Sequence, residues 1–345
     1  MPKVSVVIPL YNGAQYIRRS VQSVLQQSYA DFELIVVDDG SEDYGGDVVL
    51  EFTDPRLRLV LQGNMGVSAA RNRGIAEGIG EYIAFLDADD EWDNGFLDAV
   101  VKLSNIYPQA GIYSTGYRMV FRKCPDVEAT AEEATNQDAS LLITDYFYRE
   151  CGGSLIHTSG VMIPRYIFEE VGVFNVGEHS GEDVEMWARV ALRYPVGYDT
   201  RILFSFHQTG MFNKPRFKKV QEYAPKLKML YKVLDESPDY LVNRAMIRSH
   251  IKTYLIKRCF IFIINYNRTA TVAFMQNSNA SIWSPLLNRL INIRALWPFL
   301  RLVAWIYRVA NSRIALRIMG GQRVSHGILI RLRNISKKAV HGLKS

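Results

Sequence analysis

Polar clusters follow three short apolar runs near the start of the chain, and two of these clusters are acidic. Pro9-Leu-Tyr-Asn12 ends the first run, Asp38-Asp-Gly-Ser41 follows the second, and Asp87-Ala-Asp-Asp90 follows the third. Carboxylates this close together repel one another, and a bound cation relieves that repulsion. Hard oxygen ligands suit Mg²⁺ or Mn²⁺, particularly where substrate phosphates complete the coordination shell. The run Asp87–Asp90 therefore predicts a divalent-cation site that accepts a diphosphate-bearing substrate.

The elements that must position these clusters alternate between strand and helix. Apolar runs predict strands, and apolar residues at helical spacing predict helices between them; the segments are Val4–Ile8, Gln15–Gln27, Phe32–Val37, Leu57–Leu61, Val67–Gly78 and Tyr82–Leu86. This alternation predicts a mostly parallel sheet, whose strands carry ligand-binding loops at their carboxyl ends. Each cluster alone also fits a turn or a helix cap. Their coincidence at one sheet edge favours a site.

The rest of the chain divides into a continuation of this pattern and a different, helical region. A strand at Val161–Ile163 and helices at Arg165–Val171 and Glu182–Leu192 continue the α/β pattern. Pro125–Asp138 has few large apolar residues and is predicted to be a solvated surface excursion. Beyond Pro215 the pattern is helical throughout. We therefore expect an α/β domain over residues 1–215 and a helical, basic region over residues 216–345.

Composition and cysteine usage limit the class of protein. The chain has 345 residues, and its 48% apolar content is enough to bury a full core. Its three cysteines, Cys124, Cys151 and Cys259, are far apart, so the spacing indicates neither a disulfide framework nor a zinc site. No apolar stretch reaches the length of a signal-peptide core or a membrane span. These features favour a cytoplasmic setting.

Five ordered motifs resemble those of the family 2 glycosyltransferases, which have the GT-A fold. The resemblance spans roughly the first half of the chain and is carried by Val4–Asn12, Ile35–Ser41, Asn64–Gly74, Ile83–Asp90 and Gly181–Trp187. Five motifs in the family's order and spacing are far more specific than any one of them. The resemblance implies a Rossmann-like α/β domain that binds a nucleotide-diphospho-sugar.

The resemblance also implies roles for residues that bind the nucleotide. Pro9 would fix the first loop, and Tyr11 would stack on a uracil-like ring. Asp39 would accept a hydrogen bond from the N–H of that ring. Arg71 would bind the donor, and Asp87 would bind the ribose hydroxyls. Arg71 also has a simpler interpretation, because a surface arginine can pair weakly with a nearby acid such as Glu77 or Asp90.

The metal ligands and the base follow from the same resemblance. Asp89 would ligate Mn²⁺ or Mg²⁺, and His207, in Phe206–Gly210, is a second candidate ligand that could equally be structural. Asp183 would be the base that removes the acceptor's hydroxyl proton. It lies at a predicted helix N-terminus, which favours the ionised carboxylate. Glu182 and Glu185 are alternative bases, and a simple N-terminal charge pair is the non-catalytic interpretation.

The second half of the chain is strongly basic. Residues 216–345 contain 24 Lys and Arg against 4 Asp and Glu, whereas residues 1–215 contain 17 against 31. Arg294, Arg301 and Arg308 recur every seven residues among tryptophans, which is typical of a helix that binds an anionic membrane surface. A helical subdomain with solvated arginines is the alternative. No nucleic-acid-binding motif accompanies the charge, so we expect no nucleic acid partner.

Together these features predict an inverting, metal-dependent glycosyltransferase that uses a UDP-sugar. The expected acceptor is a glycan or a polyprenyl-linked lipid in cell-surface polysaccharide synthesis, reached at the inner face of the cell membrane. The sequence lacks the Gln-x-x-Arg-Trp motif of processive synthases, which favours one sugar per encounter. A non-catalytic nucleotide-binding or membrane scaffold of the same fold is the alternative. A nucleotidyltransferase is disfavoured because Tyr11–Gly13 is not a Gly-rich phosphate loop.

Overall fold

The computed structural model describes residues 1–121, 127–129, 140–150, 155–178, 181–208, 225–236, 244–251 and 253–254. Its strands are β1 (Val4–Leu10), β2 (Phe32–Asp38), β3 (Leu57–Leu61), β4 (Tyr82–Phe85), β5 (Glu91–Trp92), β6 (Ile112–Phe121), β7 (Val127–Ala129), β8 (Ser140–Ile143), β9 (Val161–Pro164) and β10 (Val196–Gln208). Its helices are α1 (Ala14–Leu25), α2 (Gly45–Leu50), α3 (Val67–Glu77), α4 (Phe96–Ile106), α5 (Tyr146–Glu150), α6 (Arg165–Val171), α7 (Glu182–Ala191) and α8 (Pro225–Glu236), with a 3-10 turn at Thr158–Gly160.

The ten strands form one sheet in the order β3-β2-β1-β4-β9-β6-β10-β5, with β7 beside β6 and β8 beside β10. The first four strands along this order are parallel, and so are β6 and β10. The strand β9 runs antiparallel between β4 and β6. Because the chain moves outward from β1 to β3 and then returns to β4, the order reverses beside β1. In open α/β sheets the crevice at such a reversal is where ligands bind.

The central strand β1 is buried along its whole length because helices cover both faces of the sheet. On one face, Ile17, Val21 and Val24 of α1 pack into the main apolar core together with Val4, Val6, Ile8 and Leu10. On the other face, Ala70 of α3 joins Ile35, Val37 and Val60 in a smaller cluster. A strand that is covered on both faces, such as β1, must therefore be apolar along its whole length.

Gly74 lets α3 approach β1 unusually closely. A Cβ atom at Gly74 would lie 2.2 Å from Cγ1 of Val7, so no larger residue fits without a shift of the helix or the strand. Arg71 lies one turn earlier on the same helix, and its side chain is 4% exposed. The close approach therefore fixes against β1 the helix that carries this buried guanidinium.

These observations confirm the predicted α/β class and its mostly parallel sheet. The strands and helices predicted from the chain start to Leu86 agree with β1–β4, α1 and α3, apart from the short helix α2. Within the predicted surface excursion Pro125–Asp138, the structure describes only Val127–Ala129, which pair with β6. The division at residue 215 and most of the basic region, including Arg294, Arg301 and Arg308, lie outside the described residues. In the part of the chain that the structure describes, no helix is long and apolar enough to cross a membrane.

Candidate active site

The first two predicted loops lie side by side at the carboxyl edge of the sheet. Leu10 of β1 is in register with Asp38 of β2, so the loops that follow them start at the same level. Backbone N–H groups of one loop then bond to side chains of the other: Asn12 N–H donates to Ser41 Oγ at 3.0 Å, and Glu42 N–H donates to Asn12 Oδ1 at 2.8 Å. The side chain of Tyr11, in the first of these loops, is 51% exposed. Its ring is thus available to a ligand.

Asp39 organises the next loop. Its carboxylate accepts hydrogen bonds from Gln62 Nε2 at 2.6 Å, Met65 N–H at 2.9 Å and Gly66 N–H at 2.8 Å. The side chain is buried, and Gly66 takes a positive φ of 89° that favours glycine. A carboxylate has about four acceptor positions, so these three bonds do not use all of them.

Arg71 is the charged centre of the site. The guanidinium lies 2.9 Å from Asp87 Oδ1 and 3.0 Å from Glu182 Oε1, and Phe174 covers it at 5.4 Å. Burial by itself lowers the pKa of Arg71, but the carboxylates of Asp87, Asp183 and Glu182 outweigh burial and raise it. The interpretation of Arg71 as a surface arginine was therefore wrong.

The three carboxylates of the acidic run after β4 differ in their exposure to solvent. Asp87 and Asp89 are partly exposed, whereas Asp90 is fully buried. Asp90 accepts hydrogen bonds from the Ser159 hydroxyl and from His207 N–H, the latter at 2.8 Å. Burial, followed by the nearby charges of Asp87 and Asp89, raises the pKa of Asp90 well above its usual range. Asp90 thus holds the loop, whereas Asp87 and Asp89 are partly exposed at its surface.

Asp183 differs in its surroundings from the two glutamates beside it. Glu182 and Glu185 are buried, and each is paired with an arginine, Arg71 at 3.0 Å and Arg189 at 2.8 Å. Asp183 is partly exposed and accepts hydrogen bonds from the Thr158 hydroxyl at 2.9 Å and from Val184 N–H at 2.7 Å. Among the three carboxylates of this helix turn, Asp183 is the one that an incoming hydroxyl could reach.

His207 lies at the end of β10 with one ring nitrogen already bonded. Its Nε2 is 2.8 Å from Glu91 Oε1, and this bond lowers the pKa of Glu91 more than any other interaction does. An ionised Glu91 is an acceptor, so Nε2 donates its N–H to the carboxylate and Nδ1 is the nitrogen that does not face Glu91. This carboxylate–histidine arrangement is the one that metal-ligating histidines usually have.

The described residues contain no group of three His, Cys, Asp or Glu side chains arranged to hold a metal by themselves. Asp89 nevertheless fits a divalent cation in its chemistry, because its carboxylate is a hard oxygen ligand, the residue is partly exposed, and Asp87 lies two residues before it. Mg²⁺ in particular is often held by one or two carboxylates plus substrate phosphates. A cation at Asp89 would thus need the diphosphate to complete its shell.

The sequence analysis did not identify the 3-10 turn that joins these parts. Thr158 bonds Asp183, Ser159 bonds Asp90, and Ser159 Oγ also accepts Asp87 N–H at 3.2 Å. The indole N–H of Trp92 donates to the Ser159 carbonyl oxygen at 2.5 Å. The sequence signals a turn here, because Thr158-Ser-Gly160 precedes a strand. The sequence does not indicate the hydrogen-bond partners of this turn, because they lie in distant segments of the chain.

The chain is similar to known proteins over different lengths. Residues 5–165 match the model of Glycosyl transferase family 2. An uncharacterized glycosyltransferase of Rickettsia felis is 27% identical over 302 residues, which are 84% of this chain and 48% of the relative. An uncharacterized glycosyltransferase of Nostoc is 38% identical over 113 residues, 32% of this chain and 35% of that one. The chain thus spans about half the length of the Rickettsia felis relative.

Among solved structures, residues 1–349 of S. aureus TarS in complex with UDP-GlcNAc superpose with a TM-score of 0.64. The alignment covers 94% of this chain and 93% of that one at 16% sequence identity. The same TarS fragment in complex with UDP gives a TM-score of 0.62. At this level of identity the similarity establishes a common fold.

Proposed function

We propose that the protein is an inverting, metal-dependent glycosyltransferase, in keeping with the match of residues 5–165 to the model of Glycosyl transferase family 2. The proposal rests on one observation: Asp183 is a partly exposed carboxylate, oriented by Thr158, beside the charged group formed by Arg71, Asp87 and Glu182. An acceptor hydroxyl there would meet a base next to a site suited to a diphosphate.

The donor in this proposal is a UDP-sugar. Tyr11 stacks on the base, and the remaining acceptor position of Asp39 receives a ring N–H. Asp87 binds ribose hydroxyls, and Arg71 directs its positive charge toward the phosphates. Pro9 keeps the first loop in place from within β1. The TarS structures with UDP-GlcNAc and UDP support a nucleotide-sugar ligand for this fold.

The reaction in this proposal is a single displacement. Asp183 takes the proton from the acceptor hydroxyl as that oxygen attacks the anomeric carbon opposite the phosphate, so the product has the inverted configuration. Mn²⁺ or Mg²⁺, held by Asp89 with His207 as a second candidate ligand, would supply positive charge against the charge of the diphosphate. The chain itself adds the charge of Arg71, which burial in the site strengthens.

The acceptor in this proposal is a glycan or a polyprenyl-linked lipid used in cell-surface polysaccharide synthesis. The basic composition of residues 216–345 supports a peripheral location at the inner face of the cell membrane, where anionic lipid would attract it. A non-catalytic nucleotide-binding or membrane scaffold with the same fold is the alternative function, and it predicts binding without turnover.

A screen of nucleotide sugars tests the proposed function. The purified protein is incubated with each donor and Mn²⁺, with and without a chelator, and free nucleoside diphosphate is measured. We expect one donor class to release nucleotide in a metal-dependent way. The anomeric configuration of any product is then determined by NMR. Retained configuration would exclude single displacement, and nucleotide binding without release from any donor would favour the scaffold.

A further inference from the structure

The residue before the 3-10 turn, His157, lies beside the candidate base and is not assigned any role by the proposed reaction. Thr158 follows it directly and bonds Asp183 at 2.9 Å, so the backbone of His157 is fixed relative to the candidate base. Thr158 and Ser159 are themselves buried, whereas the His157 side chain remains partly exposed. The backbone of His157 is therefore held by the bonded turn, and the residue is partly exposed.

Aromatic side chains hold the His157 ring in one orientation. Its centroid lies 4.1 Å from that of Phe206, 5.9 Å from that of Tyr117 and 6.1 Å from that of Phe204. Tyr117 and Phe204 are buried and stacked on each other, while Phe206 is partly exposed like His157. His157 and Phe206 thus form a small aromatic surface above a buried aromatic layer.

The hydrogen bonding of the imidazole determines which ring nitrogen can donate. His157 Nδ1 accepts the N–H of Ser159 at 3.3 Å, so Nδ1 is unprotonated. Burial lowers the pKa of His157, the carboxylates of Asp87 and Asp183 raise it, and the net direction is downward. The ring is then neutral at pH 7 with its proton on Nε2. Within the described residues Nε2 has no hydrogen-bond partner.

We propose that His157 and Phe206 form the acceptor subsite and that the acceptor group they bind is a pyranose. Aromatic rings pack against the C–H face of a sugar, and an oriented ring N–H donates to a sugar hydroxyl; ligand sites commonly combine apolar walls with a few such polar groups. A pyranose on Phe206 would give one hydroxyl to His157 Nε2–H and present a neighbouring hydroxyl to Asp183. This proposal rests on the proposed glycosyl transfer, because it names the group that receives the sugar.

Two substitutions of His157 separate its two ring nitrogens. Asparagine places an acceptor where Nδ1 lies and suits the capping position, so His157→Asn keeps the bond from Ser159 and loses the Nε2 donor. Glutamine reaches the position of Nε2, so His157→Gln keeps a distal donor and loses the acceptor for Ser159. The pair therefore distinguishes a contact with a ligand from a contact that only stabilises the turn.

The experiment uses the full chain, UDP and a panel of methyl pyranosides of glucose, galactose and N-acetylglucosamine. Saturation-transfer NMR measures pyranoside binding in the presence of UDP, and titration measures UDP affinity. We expect His157→Asn and Phe206→Leu to weaken pyranoside binding about 5- to 10-fold, as loss of one neutral hydrogen bond or one aromatic contact does. His157→Gln should retain most of the binding, and UDP affinity should match the wild type in all three variants.

The outcomes separate this inference from the proposed function. If the wild type releases nucleotide from a donor but binds no pyranoside, or if His157→Asn binds pyranosides like the wild type, the acceptor subsite is wrong while the transferase proposal stands. Weaker UDP or donor binding in His157→Asn would place the residue on the donor side and would also overturn the inference. Absence of nucleotide release with pyranoside binding intact would instead contradict the proposed function.

Discussion

The candidate site separates carboxylates that hold the structure from carboxylates that can meet a ligand. Asp90, Glu182 and Glu185 are buried and bonded to hydroxyl, backbone or guanidinium groups, whereas Asp89 and Asp183 are partly exposed. Burying a charge without a partner is costly, so the buried members are paired. The partly exposed members also have partners, but a substrate can reach them from solvent.

We predict that Asp183→Asn abolishes transfer and preserves nucleotide binding. The amide has nearly the same shape and can still accept the Thr158 hydroxyl, but it cannot take a proton from the acceptor. Turnover should fall by about 10²- to 10⁴-fold, with UDP affinity unchanged. Steady-state release of nucleotide and UDP titration measure the two quantities. Asp98→Asn, in an exposed position on α4, is the matched control; retained turnover in Asp183→Asn would move the base to Glu182 or Glu185.

We predict that Asp89→Ala removes the metal dependence of UDP binding together with most of the affinity. A diphosphate next to Asp87 and Asp89 is repelled unless a cation offsets the charge. Titration of UDP with Mn²⁺ and with a chelator should show a metal-dependent affinity in the wild type and a weak, metal-independent one in the variant. Asp98→Ala should behave as the wild type. Equal affinity with and without chelator in the wild type would refute a metal-bridged donor.

At the scale of elements, one antiparallel strand and one helix complete a site that the parallel strands begin. The parallel strands β1, β2 and β4 bring the loops with Tyr11, Asp39 and Asp87 to one edge. The strand β9 then runs beside β4, which places the turn Thr158–Gly160 against the acidic loop. Helix α7 contributes Asp183 to the other side of that turn. The turn is thus the element that links the donor loop to the candidate base.

We predict that Gly160→Ala destabilises the protein and reduces transfer more than nucleotide binding. A Cβ at Gly160 would lie 2.0 Å from Cε1 of buried Phe204, so the turn or the aromatic layer must move. Such overpacking typically costs about 1–3 kcal/mol of the free energy of unfolding, and a displaced turn misplaces Thr158 and hence Asp183. Thermal denaturation and turnover measure these effects. Gly63→Ala meets no atom within 4 Å and should be neutral; a wild-type melting temperature for Gly160→Ala would contradict this packing.

At the scale of the whole molecule, acidic and basic residues are unevenly distributed along the chain. No acidic residue follows Asp239, yet 18 Lys and Arg do. Each basic residue close to an anionic membrane surface contributes on the order of 1 kcal/mol, and charges beyond about 8–10 Å are screened at physiological salt. Repulsion of the acidic first half by the membrane would therefore not cancel the attraction of the second half.

We predict that the full chain binds anionic vesicles reversibly and ignores neutral ones. Flotation with phosphatidylserine-containing and phosphatidylcholine vesicles measures this binding, which should weaken as salt is raised. A variant with Arg294→Glu, Arg301→Glu and Arg308→Glu should bind less and keep its UDP affinity. If the wild type does not float with anionic vesicles at low salt, the basic region is instead a packing or oligomer surface.

The sequence by itself determined the strands β1–β4 and β9 and the acidic clusters that follow two of them. Strands buried on both faces must be continuous apolar runs, so Val4–Leu10 and Tyr82–Phe85 are visible as local patterns. The acidic residues directly after such strands must lie at the carboxyl edge, which is why Asp39 and Asp87 could be named without coordinates. Features that depend on neighbouring residues in the chain could thus be predicted from the sequence.

Only the tertiary structure decided which of these residues meet and what each one contacts. Arg71 pairs with Asp87, 16 positions away, and with Glu182, 111 positions away, and Ser159 bonds Asp90 across 69 positions. Such contacts depend on strand order and register, above all on β9 running antiparallel beside β4. No local pattern specifies that pairing, because it is selected by burial of the whole sheet between its helices. The role of the turn at His157–Ser159 therefore became visible only in the folded chain.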